Sequence, residues 1–292
     1  MFFDKYNEKK DGVIRGYDMH STSVRVLAIA IMVICFLIVI ACLFPVVWVF
    51  LASFKDIKEF NTQVSILPSE LDFSKLKKTW DQLKFMKFYR NSLYSVAGSV
   101  VAAVIFNGLL AYALAILKPK GYKFVTNLVM WSLLIPATTN IIAVFKNVNS
   151  LGMNKTFWPL WLAFGANSFY IVLFKEFFEG LPGELMEAAR LDGCGILKVF
   201  TKIVLPMSRP IIMVVVIFAV TAAWSDFLLP YLVLNGSGYE TVMVKLFAFK
   251  DTPTDAVSVL RACLFAIIPP TILFVIFQKQ ITDGAAAGAV KG

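Results

Sequence analysis

The chain has 292 residues, of which 59% are hydrophobic and only 16% charged, with a mean hydropathy of +0.74 and a formal net charge of +9. A soluble domain is about half apolar and about a quarter charged, and here the apolar excess is gathered in runs of about 20 residues, the length a helix needs to cross a bilayer core. These values exclude a soluble fold and predict an all-α polytopic membrane protein. The Lys and Arg residues lie in loops and at the ends of apolar runs, with no basic stretch interleaved with aromatics, which excludes a nucleic-acid binder.

Residues 1–23 are polar, of mixed charge, and hold the only histidine, His20. The first apolar run, about 24–54, is too long for a signal-peptide core and shows no small-residue cleavage site, so it reads as a retained span. Residues 55–90 form a mixed-charge loop in which the stretch from Ser74 to Phe88 has the character of a short interfacial helix. The second run covers about 93–117 and carries Asn107 and Tyr112. A basic turn, Lys118-Pro119-Lys120-Gly121, leads to the third, about 124–145, with Pro136 and Asn140 inside it. The fourth, about 157–174, is the shortest of these four and contains Gly165, Asn167 and Ser168. The fifth covers about 211–234 and the sixth about 262–277, where Pro269 and Pro270 break the pattern. A tail, 278–292, closes the chain.

About six transmembrane helices place both termini on one side. The Lys/Arg bias that orients membrane proteins does not decide which side, because fifteen of the 28 basic residues fall on the N-terminal side of the membrane and eight of the remainder cluster in 55–90. Three lysines in the short turn 118–123 favour an inside N-terminus.

Between the fourth and fifth runs lies a polar, helix-prone loop, 182–206, containing Glu187-Ala188-Ala189-Arg190-Leu191-Asp192-Gly193 and, further on, Ile203, Leu205 and Pro206. Pro182 suits a first helical position, where its missing N–H costs nothing. Glu184 and Glu187 complement the positive helix N-terminus. Gly193 fits a left-handed closing residue. The stretch therefore predicts one helix over 183–192 and a second over 196–204 that stops near Pro206. Ala188 and Ala189 leave a low surface for close packing by another protein. Four cysteines, Cys35, Cys42, Cys194 and Cys263, form no CxxC or Cys/His cluster and read as free thiols with no metal role.

The Glu-Ala-Ala triplet, Gly193 four residues after it, and the Ile203-x-Leu205-Pro206 ending resemble the EAA loop of the membrane subunits of binding-protein-dependent ABC importers. Asn91-Ser92, the stretch 111–115 around Tyr112, Pro136, the stretch 224–230 from Trp224 to Pro230, and the last five residues extend the likeness to the maltose-permease type of the carbohydrate branch. Ile116 stands where that branch often has a basic residue, and Ser225 where it often has Asn. The resemblance implies that this chain is half of a translocation pore for a sugar or oligosaccharide in a bacterial inner membrane, with both termini cytoplasmic. It implies docking of two cytoplasmic ATPase subunits through Glu187, Ala188, Ala189, Asp192, Gly193, Ile203, Leu205 and Pro206. Gly288, Lys291 and Gly292 would add a C-terminal contact to the ATPases. A second permease subunit, of a different kind in most of that branch, and an extracytoplasmic solute-binding protein complete the assembly.

The chain itself reads as a non-enzyme without cofactors; it has no GxxxxGK[ST] phosphate loop, and ATP with Mg belongs to the partner ATPases. An intramembrane enzyme would need HExxH, paired aspartates or a nucleophile with its base at membrane depth. Asn107, Tyr112, Asn140, Asn167 and Asp226 are candidates for a pore or gate, against the alternative that the polar side chains only join helices and that Asp226 sits at the interface beside Trp224. An ion-coupled secondary transporter or channel is the competing class, since an intramembrane carboxylate defaults to an ion or proton site. Pro136, Pro269 and Pro270 read either as hinges or as kinks whose freed carbonyls are satisfied by neighbours.

Overall fold

A computed structural model describes residues 22–62, 65–249 and 254–289, the side chains of 137–138 and 279–289 excepted. No strand occurs among the described residues. The described residues form two compact units, divided between Leu71 and Asp72. In the first, α1 (Thr22–Ala52) presents its apolar side chains outward along nearly its whole length, as a lipid-bathed or partner-covered helix must. A six-residue helix, α2 (Ile57–Thr62), follows, and the Glu59 carboxylate accepts from the backbone N–H and the hydroxyl of Ser69.

The second unit opens with α3 (Phe73–Gln82), capped by Asp72, whose carboxylate accepts from the Ser74 N–H at 2.8 Å. The helix expected over 74–88 ends at Gln82 because Lys84 takes a left-handed conformation, φ 52°, which no right-handed helix can absorb. The chain restarts at once as α4 (Phe85–Tyr112), eight residues earlier than the apolar run suggests, and a single π-helical segment, Ala113–Leu117, extends it. Burial explains the early start: Phe85 is fully buried and sits 5.4 Å from the Trp80 ring and 5.2 Å from that of Phe265. Asn91 and Ser92 also work at this end. The Asn91 amide donates to the Gly238 and Glu240 carbonyls, and the Ser92 hydroxyl accepts from the Val242 N–H at 2.9 Å. Together they pin the loop that starts a helix the hydropathy pattern did not suggest, α14 (Val242–Ala248).

The third, fourth and fifth apolar runs are each built of two shorter helices. The third is α5 (Tyr122–Ser132) and α6 (Ile141–Ser150), parted at Pro136, which lacks an N–H and disfavours helix in the residue before it. The fourth is α7 (Trp158–Gly165) and α8 (Ser168–Glu179). The polar loop holds α9 (Gly183–Leu191), α10 (Ile196–Val199), a π-helical segment Phe200–Val204 and α11 (Leu205–Met207). The fifth run is α12 (Arg209–Ser225) and α13 (Leu228–Leu234). Among the described residues, three helices are long and apolar enough to cross a membrane unbroken, Thr22–Ala52, Phe85–Leu117 and Ala256–Gln278. A fourth arises if Ile196–Met207 and Arg209–Ser225, which meet at 80°, count as one bent span. α4 lies at the centre, packed against α7, α8 and α12.

The last helix, α15 (Ala256–Ala289), runs through Pro269 and Pro270 without a break, contrary to the interruption expected there. An interior proline costs a helix about 3 kcal/mol, in part because the carbonyl four residues back loses its donor. Here those carbonyls belong to Phe265 and Ala266, and both have found another. The Tyr89 hydroxyl of α4 donates to the first, and the Trp224 indole N–H of α12 to the second at 3.1 Å. The helix is continuous because its neighbours complete it.

Candidate coupling site

In α9, Pro182 precedes the first helical residue as the N-cap, with ψ 115°, one position earlier than expected. Glu184 lies in the first turn and Arg190 in the last, each complementing the helix dipole. The helix ends one residue before Asp192, which caps it. The Asp192 N–H donates to the Ala188 carbonyl, that of Gly193 to Arg190 and that of Cys194 to Ala189, at 2.9–3.0 Å. Gly193 has φ +76°, the left-handed value this reversal requires.

Helical periodicity then sorts the side chains. Met186 and Ala189, three apart, are buried in a cluster with Tyr112, Phe174, Phe178, Val199 and Phe200. Ala189 thus faces its own chain instead of offering a low outer surface, and of the alanine pair only Ala188 is exposed. Glu184, Glu187, Ala188 and Leu191 fall on the opposite stripe, and all four are exposed. Leu191 is 90% exposed, and Leu185, Ile196 and Leu197 add further apolar surface to the same loop. These four apolar residues escaped the motif-based reading. Only Leu191 carried a signal in the sequence, an apolar side chain on a polar helix four residues after Glu187, which places the two on one stripe.

The second segment stays helical past Val204 and through Pro206 to Met207. Ile203 and Leu205 are half-buried against the core cluster, and Pro206 is exposed. Beyond the bend at Ser208, whose hydroxyl donates to the Val204 carbonyl at 2.6 Å, the chain enters α12 directly. The tie to the span bundle is Tyr112. Its ring lies 5.0 Å from that of Phe200, and its hydroxyl donates to the Ile196 carbonyl at 3.1 Å. Tyr112 directly precedes one π-helical segment, 113–117, and Phe200 opens the other, 200–204, a feature frequent at functional sites.

Of the remaining candidates, Asn107 is fully buried and committed within the chain. Its amide donates to the carbonyls of Ala103 at 2.7 Å and Phe164 at 2.9 Å, and its oxygen accepts from the Asn167 N–H at 2.9 Å. The last two groups are the loose backbone ends at the break between α7 and α8. The Asn167 side-chain oxygen Oδ1 in turn caps α8, accepting from the N–H groups of Phe169 and Tyr170. Asn140 is exposed beside the Pro136 break and makes no cap bond. Asp226 sits in the gap between α12 and α13, as the C-cap of α12, one residue before the N-cap of α13. Gly288 falls on α15, while His20, Lys291 and Gly292 lie outside the described residues.

A bundle of long apolar helices with a polar helix–turn–helix anchored on its core defines a multi-pass membrane component. Residues 107–285 match the family described as "Binding-protein-dependent transport system inner membrane component", and the chain belongs to it. It is 30% identical over 99% of its length to the probable ABC transporter permease protein YurM of Bacillus subtilis (strain 168), covering 95% of that protein. It is 29% identical to the melibiose/raffinose/stachyose import permease protein MelC of the same organism, over 78% of this chain and 84% of that one. The fold resembles a chain in the crystal structure of a bacterial ABC transporter involved in the import of the acidic polysaccharide alginate, with a TM-score of 0.80 and 23% identity, covering 89% of this chain and 98% of that chain.

Proposed function

We propose that this chain forms half of the translocation pathway of an ATP-driven importer for an oligosaccharide, with α9 as the contact through which cytoplasmic ATPases drive it. The observation that carries the reading is the division of α9 into a buried edge, Met186 and Ala189, and an exposed stripe of Glu184, Glu187, Ala188 and Leu191. Exposed apolar surface rimmed by charge marks an interaction site. The buried edge transmits displacement of the helix into the bundle. The relative named for import of melibiose, raffinose and stachyose supports a carbohydrate cargo. Both termini and α9 then face the cytoplasm, where ATP is, and the third to fifth spans cross the bilayer as broken helices, for six in all. A second permease subunit and an extracytoplasmic binding protein complete the complex. The tail around Gly288, Lys291 and Gly292 reaches toward the ATPases.

The test is a Leu191→Cys chain in native membranes, with Cys35, Cys42, Cys194 and Cys263 replaced by Ser, treated with a short bifunctional thiol crosslinker, and with Leu151→Cys in the same background as control at an exposed site. Crosslinking to an ATPase from position 191 and not from position 151 is the expected result. Equal labelling from both positions, or none to an ATPase, rejects the docking assignment. Persistence of uptake after ATP depletion, with loss on collapse of the ion gradient, would favour the secondary-transporter reading.

A further inference from the structure

Two consecutive prolines leave two consecutive carbonyls of α15 without their helical donors, and each carbonyl is taken by a different neighbouring helix. Tyr89 of α4 holds Phe265, and Trp224 of α12 holds Ala266 at 3.1 Å. The next carbonyl, Ile267, receives the hydroxyl of Thr271 at 2.9 Å from within α15 itself. The Tyr89 and Trp224 rings also meet edge-on at 5.5 Å, so the two donors pack as one unit. All four residues sit in a single aromatic-rich cluster with Trp80 and Phe85.

We propose that Tyr89 and Trp224 are positioning residues that make Pro269–Pro270 a releasable joint in the transport cycle. An ordinary helical hydrogen bond is indifferent to where neighbouring helices stand. These two bonds are not, because their donors are carried on α4 and α12. α12 is also the element that continues, through the 80° bend at Ser208, from the docking loop. Displacement of α9 and α10 therefore reaches Trp224 along α12 and bears on the Ala266 carbonyl. With both donors engaged α15 is one rod; with Trp224 withdrawn, the rod has a free carbonyl beside a proline and bends there. The inference rests on the importer reading for its driving force, but the pairing of donors with prolines does not.

The arithmetic of the helix supplies the test. Pro269→Ala restores an N–H to the Phe265 carbonyl and makes the Tyr89 hydroxyl redundant; Pro270→Ala does the same for Ala266 and Trp224. The variants are made in the full chain, assembled with its ATPases, second permease and binding protein in lipid nanodiscs, and read by thermal melting of the permease and by ATP turnover. Tyr89→Phe and Trp224→Phe each lower the melting temperature by about 2–4 °C. Pro269→Ala rescues only the first and Pro270→Ala only the second. The Pro269→Ala/Pro270→Ala double variant melts above the unsubstituted protein, yet its ATP turnover falls about fivefold or more because the joint no longer releases. Rescue that ignores the pairing overturns the donor assignment, and correct pairing with unchanged turnover overturns the releasable joint. Absence of ATP turnover in the unsubstituted assembly is instead a failure of the importer reading, and the melting arm still decides the pairing.

Discussion

The hydroxyl of Tyr112 and the carbonyl of Ile196 are 3.1 Å apart, joining the C-terminal end of α4 to the first turn of α10. Eighty-four residues separate them in sequence, and the bond is a direct polar link between the central span and the loop that holds α9 and α10. Tyr112→Phe keeps the ring against Phe200 and deletes only the donor. A single hydrogen bond contributes about 1 kcal/mol, so the substituted chain should insert and fold normally while its coupling of ATP turnover to transport falls. Equal coupling ratios in the two proteins would reduce the bond to a packing detail.

Gly193 can be tested without steric ambiguity. A Cβ built there meets nothing within 4 Å, so the cost of substitution is conformational alone. At φ +76° a β-branched residue costs about 1–3 kcal/mol. Gly193→Val should therefore tilt or fray the turn after α9 and lower ATPase association, with membrane insertion intact. Gly193→Asn, which tolerates this conformation better, should restore most of it. Co-purification of the ATPase from solubilised membranes measures both.

Leu191 separates docking from folding. Being 90% exposed, it contributes little to the chain's own stability. Leu191→Ser should leave thermal stability unchanged and weaken ATPase binding about tenfold, the effect of losing one interface anchor of about 1.4 kcal/mol. Ala189→Leu should behave in the opposite way. It forces a larger side chain into the core beneath α9 and should lower stability by about 1–3 kcal/mol. A thermal melt alongside the binding assay distinguishes the two edges of one helix.

Asn107 and Asn140, both polar residues within apolar runs, should differ sharply. Asn107→Leu leaves the Phe164 carbonyl and the Asn167 N–H unpaired in the bundle, at about 1–3 kcal/mol each. Expression and melting temperature should fall. Asn140→Leu removes an exposed side chain with no cap bond and should leave both unaltered. A fall of similar size in the two variants would mean that the break between α7 and α8 does not depend on Asn107.

Much of this protein is legible along the chain. Apolar runs of the right length announce membrane helices because hydrocarbon admits no unpaired backbone. The Glu187–Gly193–Pro206 spacing marks the helix–turn–helix because a glycine just past the first helix takes a left-handed turn without cost. Pro136 marks a point where the third run can bend, whereas the break at Asn167 lies inside a run that reads as one span. What sequence could not say is which polar groups close which gaps, since those partners lie far apart: Asn107 with Phe164, Tyr112 with Ile196, Tyr89 and Trp224 with the carbonyls before two prolines. For the same reason Pro269 and Pro270 look like an interruption in one dimension and lie within a continuous helix in three. The inward turn of Ala189 beside an outward Ala188 was likewise decided by the core under α9. Hydropathy and motif report what each segment can be; burial and hydrogen bonding among distant segments decide which side chain faces a partner and which one holds the bundle together.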